Sequence, residues 1–263
     1  MASTIRTLTL PMYNQGIIFR PDSSPHQSVF ETSATQKHRL GARFCDGDRT
    51  FRYAKAGAAG GCLKAKMTES QVINTKTHNI AQTGHAWAVG DVSGTMLITT
   101  GGTWATNEFT DGYFFSNDEA ADGDIYRVLA SQITSTVTIL QLELETPIRT
   151  AIPATTEMSL IPNRFYDVVI SPTTTSTGYS TGVPLVDVPN GYYFWAQTAG
   201  PCPMVVDQGA TAGNVIVIGN TVGVGANDAG TCMNRVTLEH SFGNVLIVGA
   251  ATEVALINLS IDQ

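Results

Sequence analysis

The sequence predicts an all-β protein of the β-sandwich or barrel-like kind, built from many short antiparallel strands. Apolar residues make up 43% of the 263 residues and charged residues only 14%, well under the quarter that is usual in globular domains. Thr, Gly, Ala, Val and Ser fill the difference, and β-branched residues suit pleated strands while Gly suits tight turns. No window of a dozen residues keeps a 3.6-residue apolar period, which argues against amphipathic helices.

The amino-terminal part combines an alternating run, a polar arm and a hairpin signal. Ile5–Leu10 alternates polar and apolar side chains, as a half-buried strand does. Residues 1–39 are otherwise irregular and polar, and they are predicted as an extended N-terminal arm. Asp46-Gly47-Asp48 lies between the apolar runs Leu40–Phe44 and Thr50–Ala54. Because glycine accepts the positive φ of hairpin turns, these two runs are predicted to pair.

The rest of the chain repeats short strand-like runs between turn residues. The longest is Ile133–Glu145, in which apolar residues sit among Thr and Glu. Asn190-Gly191 is a second hairpin signal, and it leads into the predicted strand Tyr192–Thr198. The other predicted strands are Ala86–Val92, Thr95–Thr100, Tyr113–Phe115, Ile125–Ala130, Arg164–Ile170, Val183–Val188, Met204–Asp207, Asn214–Ile218, Val245–Val248 and Val254–Ile261.

The most loop-like segment is Ser171–Ser180, which is rich in Ser and Thr and contains a Pro and a Gly. It is the predicted division between a β lobe at 40–170 and a second β lobe at 171–263. The alternative is that this segment is an exposed loop of one continuous domain.

The sequence shows no pattern of a secreted or membrane-spanning protein. The first 14 residues hold no continuous apolar stretch of the secretory type. Val245–Ala251 is far shorter than the roughly 20 residues of a membrane-spanning helix. The four cysteines show no metal-binding spacing and are expected to be small buried side chains. We therefore expect a protein that folds in the cytoplasm of the cell that makes it, with no membrane partner.

Charge is distributed unevenly along the chain, although the net charge is −7. Residues 1–76 hold eleven Lys and Arg against five Asp and Glu, and residues 77–263 hold four against seventeen. Such a split suggests one region that docks on an acidic partner. Nucleic acid is not the predicted partner, because the chain is acidic and lacks a recognised nucleic-acid-binding motif. The basic excess is densest in Lys37, Arg39, Arg43, Arg49, Arg52, Lys55, Lys64 and Lys66.

The sequence carries no recognisable catalytic pattern. Five histidines occur without a Gly-x-Ser-x-Gly element, and the glycine clusters lack the pattern of a phosphate-binding loop. We therefore predict that the protein is not an enzyme and uses no cofactor. The acidic stretch Asn117–Asp124 is either a calcium loop or a solvated turn. It lacks the Asp-x-Asp-x-Asp-Gly order, so no metal site is predicted.

Aromatic residues cluster at Tyr192–Trp195, and Trp87 and Trp104 lie elsewhere in the chain. They would serve either as core and interface packing or as a platform on which sugars stack. Because consecutive strand residues point to opposite faces, Tyr192–Trp195 cannot all line one groove. Core or interface packing is the preferred interpretation.

Four stretches together resemble the structural proteins of tailed bacteriophages. They are Gln36–Arg43, Asp46–Ala58, Ser171–Thr174 and Gly191–Pro201. The shared pattern is a Leu-Gly pair, an Asp-Gly turn, a Phe-Arg-Tyr strand and an Ala-Gly-Ala corner. The sequence departs from that pattern at Gly60-Gly61-Cys62, where a more apolar stretch would be expected.

The resemblance implies a capsid decoration (cement) protein that binds the outer surface of the phage head. Its expected partners are the major capsid protein and further copies of itself, in a homo-oligomer that is expected to be a trimer. The expected location is the capsid surface of the virion. The alternative is a tail or head-fibre module that binds host surface glycans. The residues expected to contact the capsid or a neighbouring subunit are Lys37, Arg39, Arg43, Arg49, Arg52, Tyr53 and Lys55.

Overall fold

A computed structural model describes residues 27–58, 60–72, 74–99, 104–118, 121–133, 138–173, 176, 178–208, 219–235 and 241–262. Within these residues the protein is all-β, with two curled antiparallel sheets in a sandwich or barrel-like arrangement. The one helical element in the described chain is a single 3-10 turn, Thr75–Thr77. The predicted fold class is therefore confirmed.

The first sheet has ten strands in the part of the chain that the structure describes. They are β1 (Arg43–Asp46), β2 (Arg49–Lys55), β3 (Thr68–Glu69), β10 (Val169–Ile170), β11 (Ser180–Pro184), β12 (Tyr193–Val205), β13 (Thr221–Val224), β14 (Cys232–Asn234), β15 (Gly243–Ile247) and β16 (Val254–Ser260). The order is β10-β3-β11-β12-β16-β15-β13-β14, and β2 pairs with both β1 and β12. Strand β12 is the central element, because its first half pairs with β2 and its second half with β16.

The second sheet has six strands among the described residues, and all six lie in sequence between β3 and β10. They are β4 (Ile80–Ala81), β5 (Ser93–Leu97), β6 (Tyr113–Ser116), β7 (Ile125–Ile133), β8 (Ile139–Leu144) and β9 (Glu157–Ile161). Their order is β4-β9-β6-β7-β8-β5. The chain thus leaves the first sheet after β3 and returns to it at β10. The boundaries between sheets do not coincide with the loop Ser171–Ser180, and a division into lobes there stays a prediction.

Three buried apolar clusters lie against the two sheets. The second sheet encloses Trp87, Phe109 and Phe114 with the inward residues of β7 and β8. The carboxyl-terminal strands of the first sheet enclose a further cluster around Phe242 and Ile257. A third cluster, rich in aromatic residues, surrounds the first half of β12. Burial of apolar surface at about 25 cal/mol per Å² makes these clusters the main source of stability.

Both predicted hairpin turns occur. Asp46 pairs with Arg49 across a two-residue loop, and Gly47 has φ +64°, as glycine at the first position of such a loop permits. Gly191 has φ +73° and precedes β12, which pairs antiparallel with β11. Glycine at these two positions therefore determines where the chain reverses.

Several strand predictions differ from the structure, among them Arg164–Ile170, of which Val169–Ile170 forms a strand. Tyr192–Thr198 and Met204–Asp207 belong largely to one strand, β12, because Pro201 and Pro203 interrupt the sequence pattern and yet pair with β16. The predicted strand Ile133–Glu145 is too long, since β7 ends at Ile133 and the strand within this range is β8, Ile139–Leu144. Ala86–Val92 is not a strand, and Trp87 forms an isolated bridge to Ile152.

The predicted N-terminal arm is described only from Gln27 onward. Ser33 exchanges backbone hydrogen bonds with Tyr193 of β12, and the Trp195 indole N–H donates to the Gln27 carbonyl at 3.0 Å. This part of the arm therefore lies on its own chain. Residues 1–26, with the predicted strand Ile5–Leu10, lie outside the described residues, as does Asn214–Ile218.

Candidate functional site: an arginine-lined groove

A groove of about 680 Å³ lies where the two sheets meet. Residues of β2 from the first sheet and of β6, β7 and β9 from the second sheet line it. Its most distinctive feature is a set of four arginines, which we call the arginine groove: Arg39, Arg52, Arg127 and Arg164. They come from the segment before β1, from β2, from β7 and from the loop after β9. The fold therefore concentrates positive charge from four separate parts of an acidic chain.

One side of the groove is organised by Asp111. Its Oδ1 lies 4.0 Å from Nε of Arg39 and 3.9 Å from Nε of Arg127. Arg39 also donates from Nη1 to Glu145 Oε1 at 2.7 Å. The Nε of Arg127 is buried and makes no hydrogen bond to any residue that the structure describes. Arg127 thus enters the groove with less hydrogen bonding than Arg39.

Asp111 is itself held by the segment that carries Arg39. Its Oδ2 accepts the backbone N–H of Leu40 at 3.0 Å and the Gln36 side-chain amide at 3.4 Å. The amide of Asn163 donates to the Asp111 carbonyl at 2.9 Å and to the Leu40 carbonyl at 3.3 Å. Asp111 has φ +63°, a left-handed conformation that Asp and Asn adopt more readily than most residues. This network fixes the amino-terminal segment to the second sheet.

The other side of the groove is organised by Asp262, near the carboxyl terminus. Nε of Arg52 donates to Asp262 Oδ2, and Nη1 of Arg52 donates to the Gly41 carbonyl at 2.9 Å. Arg164 lies further off, with Nη2 at 4.0 Å from Asp262 Oδ1. Burial alone would raise the pKa of Asp262, but the Arg52 hydrogen bond and the neighbouring arginine charges lower it overall. Asp262 is therefore held in its ionised form.

The charge balance of the groove is positive. The carboxylates that contact its four arginines within the described chain are three: Asp111, Glu145 and Asp262. Two tyrosines stand at the rim, Tyr113 at 37% and Tyr179 at 62% exposure. A guanidinium offers a fork of donors that matches a carboxylate. The arrangement can therefore bind a carboxylate-bearing ligand and offers it aromatic surface.

The structure brings two of the seven predicted interface residues, Arg39 and Arg52, into this groove. Arg43 is exposed at the start of β1. Arg49 is bonded to Asp46, and its guanidinium lies 5.5 Å from the centre of the Phe51 ring. Lys37 is partly buried, and its backbone N–H donates to the Tyr53 hydroxyl at 3.0 Å.

Tyr53 lies in the core of its own chain and has no exposed surface. Its hydroxyl donates to Gln27 Oε1 at 2.7 Å, and burial raises its pKa to about 12. Tyr53 can therefore position Lys37 and the arm. For Tyr53 to contact a partner directly, the residues that bury its side chain would first have to move away. Its predicted interface role stays a prediction.

Lys55 belongs to a separate cluster at the end of β2. Its Nζ lies 4.0 Å from Asp167 Oδ1 and 4.3 Å from the centre of the Tyr166 ring. Burial raises the pKa of Asp167 and that of nearby Glu108, and Lys55 partly opposes both shifts. This lysine is thus engaged with its own chain.

Arg127 and Arg164 were not predicted as site residues. They lie in the acidic part of the sequence, and a search for dense positive charge passes over single arginines. The one feature of the sequence that could have pointed to Arg127 and Arg164 is the scarcity of basic residues around them, since residues 77–263 contain only four Lys and Arg.

At the other candidate sites, the acidic stretch and the aromatic cluster, the side chains make contacts within the protein. In the acidic stretch, Asp118 accepts the Glu157 N–H at 2.7 Å and Asp124 binds Arg149 at 2.9 Å. No cluster of three potential metal ligands occurs among the described residues. Phe194 and Trp195 are buried, which confirms core packing for these two aromatics.

Comparison with protein-family models, curated proteins and solved structures finds no match for this chain. Within the described ranges, no helix has the length and apolar character needed to span a membrane. The interpretation of the groove therefore depends on its own geometry.

Proposed function

We propose that this protein is a capsid decoration subunit that binds the outer surface of a tailed-bacteriophage head and stabilises it. The observation that supports this function is the arginine groove, a net positive site on a chain whose overall charge is −7. The sequence resemblance to phage structural proteins points in the same direction. The proposed partner is an acidic part of the major capsid protein.

Opposite charge would guide the subunit to the shell and fix its orientation. An exposed ion pair contributes only about 0.2–1 kcal/mol, so single contacts would hold the subunit weakly. Simultaneous binding by several linked copies can raise the overall affinity by about 10²–10⁴-fold. We therefore propose that the protein acts as a homo-oligomer, in line with the expected trimer.

Exposed apolar side chains at one end of the first sheet support self-association. Leu246, Ile247 and Val248 at the end of β15 are each more than 40% exposed, as is Val254 at the start of β16. Exposed patches of this kind are typical of contact surfaces between proteins. None of these four residues lines the groove.

The test is co-sedimentation of the purified protein with capsids that lack it, together with its oligomeric mass in solution. We expect a trimer that saturates the shells at hundreds of copies. Arg164→Glu should weaken binding about tenfold or more, which corresponds to about 1.4 kcal/mol. The charge-matched control is Arg149→Glu, because Arg149 is exposed, lies outside the groove and pairs with Asp124.

Equal binding by both variants would contradict a role for the groove in docking. A protein that ignores the shells but is retained by host polysaccharide would favour the fibre-module alternative.

A further inference from the structure

We infer that the arginine groove recognises a short acidic peptide segment of another protein, with one or two carboxylates beside an apolar residue. This inference rests on the proposed function, in which the capsid protein supplies that segment. It adds which arginines hold the ligand and what class of ligand they select.

The four arginines divide into two that hold the fold and two that remain available. Arg39 donates to Glu145 at 2.7 Å, and Arg52 donates to both Asp262 and Gly41. By contrast, the guanidinium groups of Arg127 and Arg164 make no hydrogen bond to any described residue, and their nearest carboxylate oxygens lie 3.9 and 4.0 Å away. Their side chains are 31% and 44% exposed. Arg127 and Arg164 are therefore the residues that can donate to a ligand.

The charge count limits how many negative groups the ligand carries. Three carboxylates already balance three of the four arginines, which leaves an excess of one positive charge in the groove. Residues 77–263 as a whole, groove included, carry thirteen more acidic than basic residues. A long polyanion such as a nucleic acid or a sulfated polysaccharide would be repelled by that surface. One carboxylate would balance this excess and a second would leave the site only one charge negative, so a segment with one or two carboxylates avoids most of this repulsion.

The wall of the groove indicates an apolar residue beside the carboxylate. Ile161, Pro162 and Phe165 line it together with the arginines. The Arg164 guanidinium lies 4.7 Å from the centre of the Phe165 ring, so its flat face is covered while its edge can bind a carboxylate. A peptide can present both groups at neighbouring positions, whereas inorganic anions cannot.

Tyr179 provides a fixed contact at the rim. Its backbone N–H donates to Ser70 Oγ at 3.0 Å, and its carbonyl accepts the Ser70 N–H at 2.8 Å. The preceding Gly178 allows this approach, since a Cβ there would lie 2.1 Å from the Ser70 carbonyl oxygen. The backbone is thus tied down while the ring is exposed, as is common for aromatic residues at protein interfaces.

The test is fluorescence anisotropy with a labelled heptapeptide that holds two glutamates separated by one leucine. The control peptide has glutamines in place of both glutamates. We expect the wild-type protein to bind the glutamate peptide at least tenfold more tightly than the glutamine peptide. Arg164→Gln and Arg127→Lys should each lose most of this preference, whereas Arg149→Gln should keep it. Arg127→Lys preserves the positive charge, which limits the risk that the variant fails to fold.

Equal affinity for the two peptides would overturn the inference, as would an equal loss in Arg149→Gln. Heparin or inorganic polyphosphate that binds more tightly than the peptide would also overturn it, in favour of a polyanion site. Shell binding that excess glutamate peptide does not reduce would overturn the inference and leave the decoration function standing. Peptide binding without shell binding would support the inference and refute the decoration function.

Discussion

The side chain of Asp111 accepts a hydrogen bond from the backbone N–H of Leu40 at 3.0 Å, which joins the amino-terminal segment to the second sheet. Asp111 is almost fully buried, and two arginines of the groove lie about 4 Å from its other carboxylate oxygen. One carboxylate therefore both fixes the chain before β1 and balances the charge of the groove.

Asp111→Ala should destabilise the protein by about 2–4 kcal/mol, because it leaves a buried N–H without its acceptor and places alanine at positive φ. Asp111→Asn should cost less, since asparagine accepts the Leu40 N–H and tolerates φ +63°. Urea unfolding followed by circular dichroism measures both. Equal stability of the alanine variant and the wild type would show that Asp111 does not hold this junction.

Gly94→Ala should destabilise the second sheet by about 1–3 kcal/mol through overpacking. A Cβ at Gly94 would lie 2.9 Å from ring atoms of Trp87, which is buried and packed against Phe114. The matched control is Ser93→Ala at the exposed start of β5. Thermal unfolding should show a lower midpoint for the glycine variant alone.

Glu108→Gln should stabilise the protein at neutral pH. Burial raises the pKa of Glu108, so the folded state holds its proton more tightly than the unfolded state, and ionisation destabilises the fold. The gain should be present above the raised pKa and should vanish as the pH falls to the ordinary value of about 4.3. Urea midpoints at pH 7 and pH 4 test this, with the exposed Glu143→Gln as control. If Glu108→Gln were still more stable than the wild type at pH 4, ionisation of Glu108 would not be the cause of the stability difference.

Asp207→Ala should destabilise the loop before β14 by about 2–4 kcal/mol, since several hydrogen bonds to one charged group are lost. The buried carboxylate accepts the backbone N–H groups of Asn227 and Asp228 at 2.9 and 3.2 Å and the Thr231 hydroxyl at 3.1 Å. Hydrogen exchange of residues 226–231 should accelerate. If residues 226–231 exchanged no faster in Asp207→Ala than in the control Asp122→Ala, a change at an exposed site, Asp207 would not hold this loop in place.

Cys45 should be the one thiol that iodoacetamide modifies quickly in the folded protein. All four cysteines lie in the described chain without a disulfide, and Cys45 is the one that is not buried. Burial raises the pKa of Cys62, Cys202 and Cys232 to about 12, and the thiol form reacts poorly. Mass spectrometry should find one rapid modification without denaturant and four in urea.

The fold class followed from the sequence because strand propensity and turn chemistry act locally. Gly47 and Gly191 marked their turns since positive φ is a property of the residue itself. The continuity of β12 through Pro201 and Pro203 did not follow, because it depends on pairing with β16, which is distant in sequence. Local composition carries no such information.

The candidate site was only half predictable for the same reason. Arg39 and Arg52 stood out because they lie in a dense basic stretch. Arg127 and Arg164 join them through the packing of β7 and the loop after β9 against the first sheet, a tertiary arrangement. The buried state of Tyr53 likewise depends on its pairing with Trp195, more than 100 residues away.

The insertion of the whole second sheet between β3 and β10 also sets the order of events during synthesis. The six inserted strands pair only with one another within the described chain, so they can fold as soon as they leave the ribosome. Strand β2 must wait for β12, because Tyr53 pairs with Trp195, and such distant pairings form slowly. A chain that stops before β12 would carry all four arginines yet leave the edge of β2 that faces β12 without its partner. Asp262, the counter-ion of Arg52, follows β16 and is translated after all four arginines. The groove is thus completed only after β16 has been synthesised, so fragments that end before β16 would be poor competitors for the same binding partner.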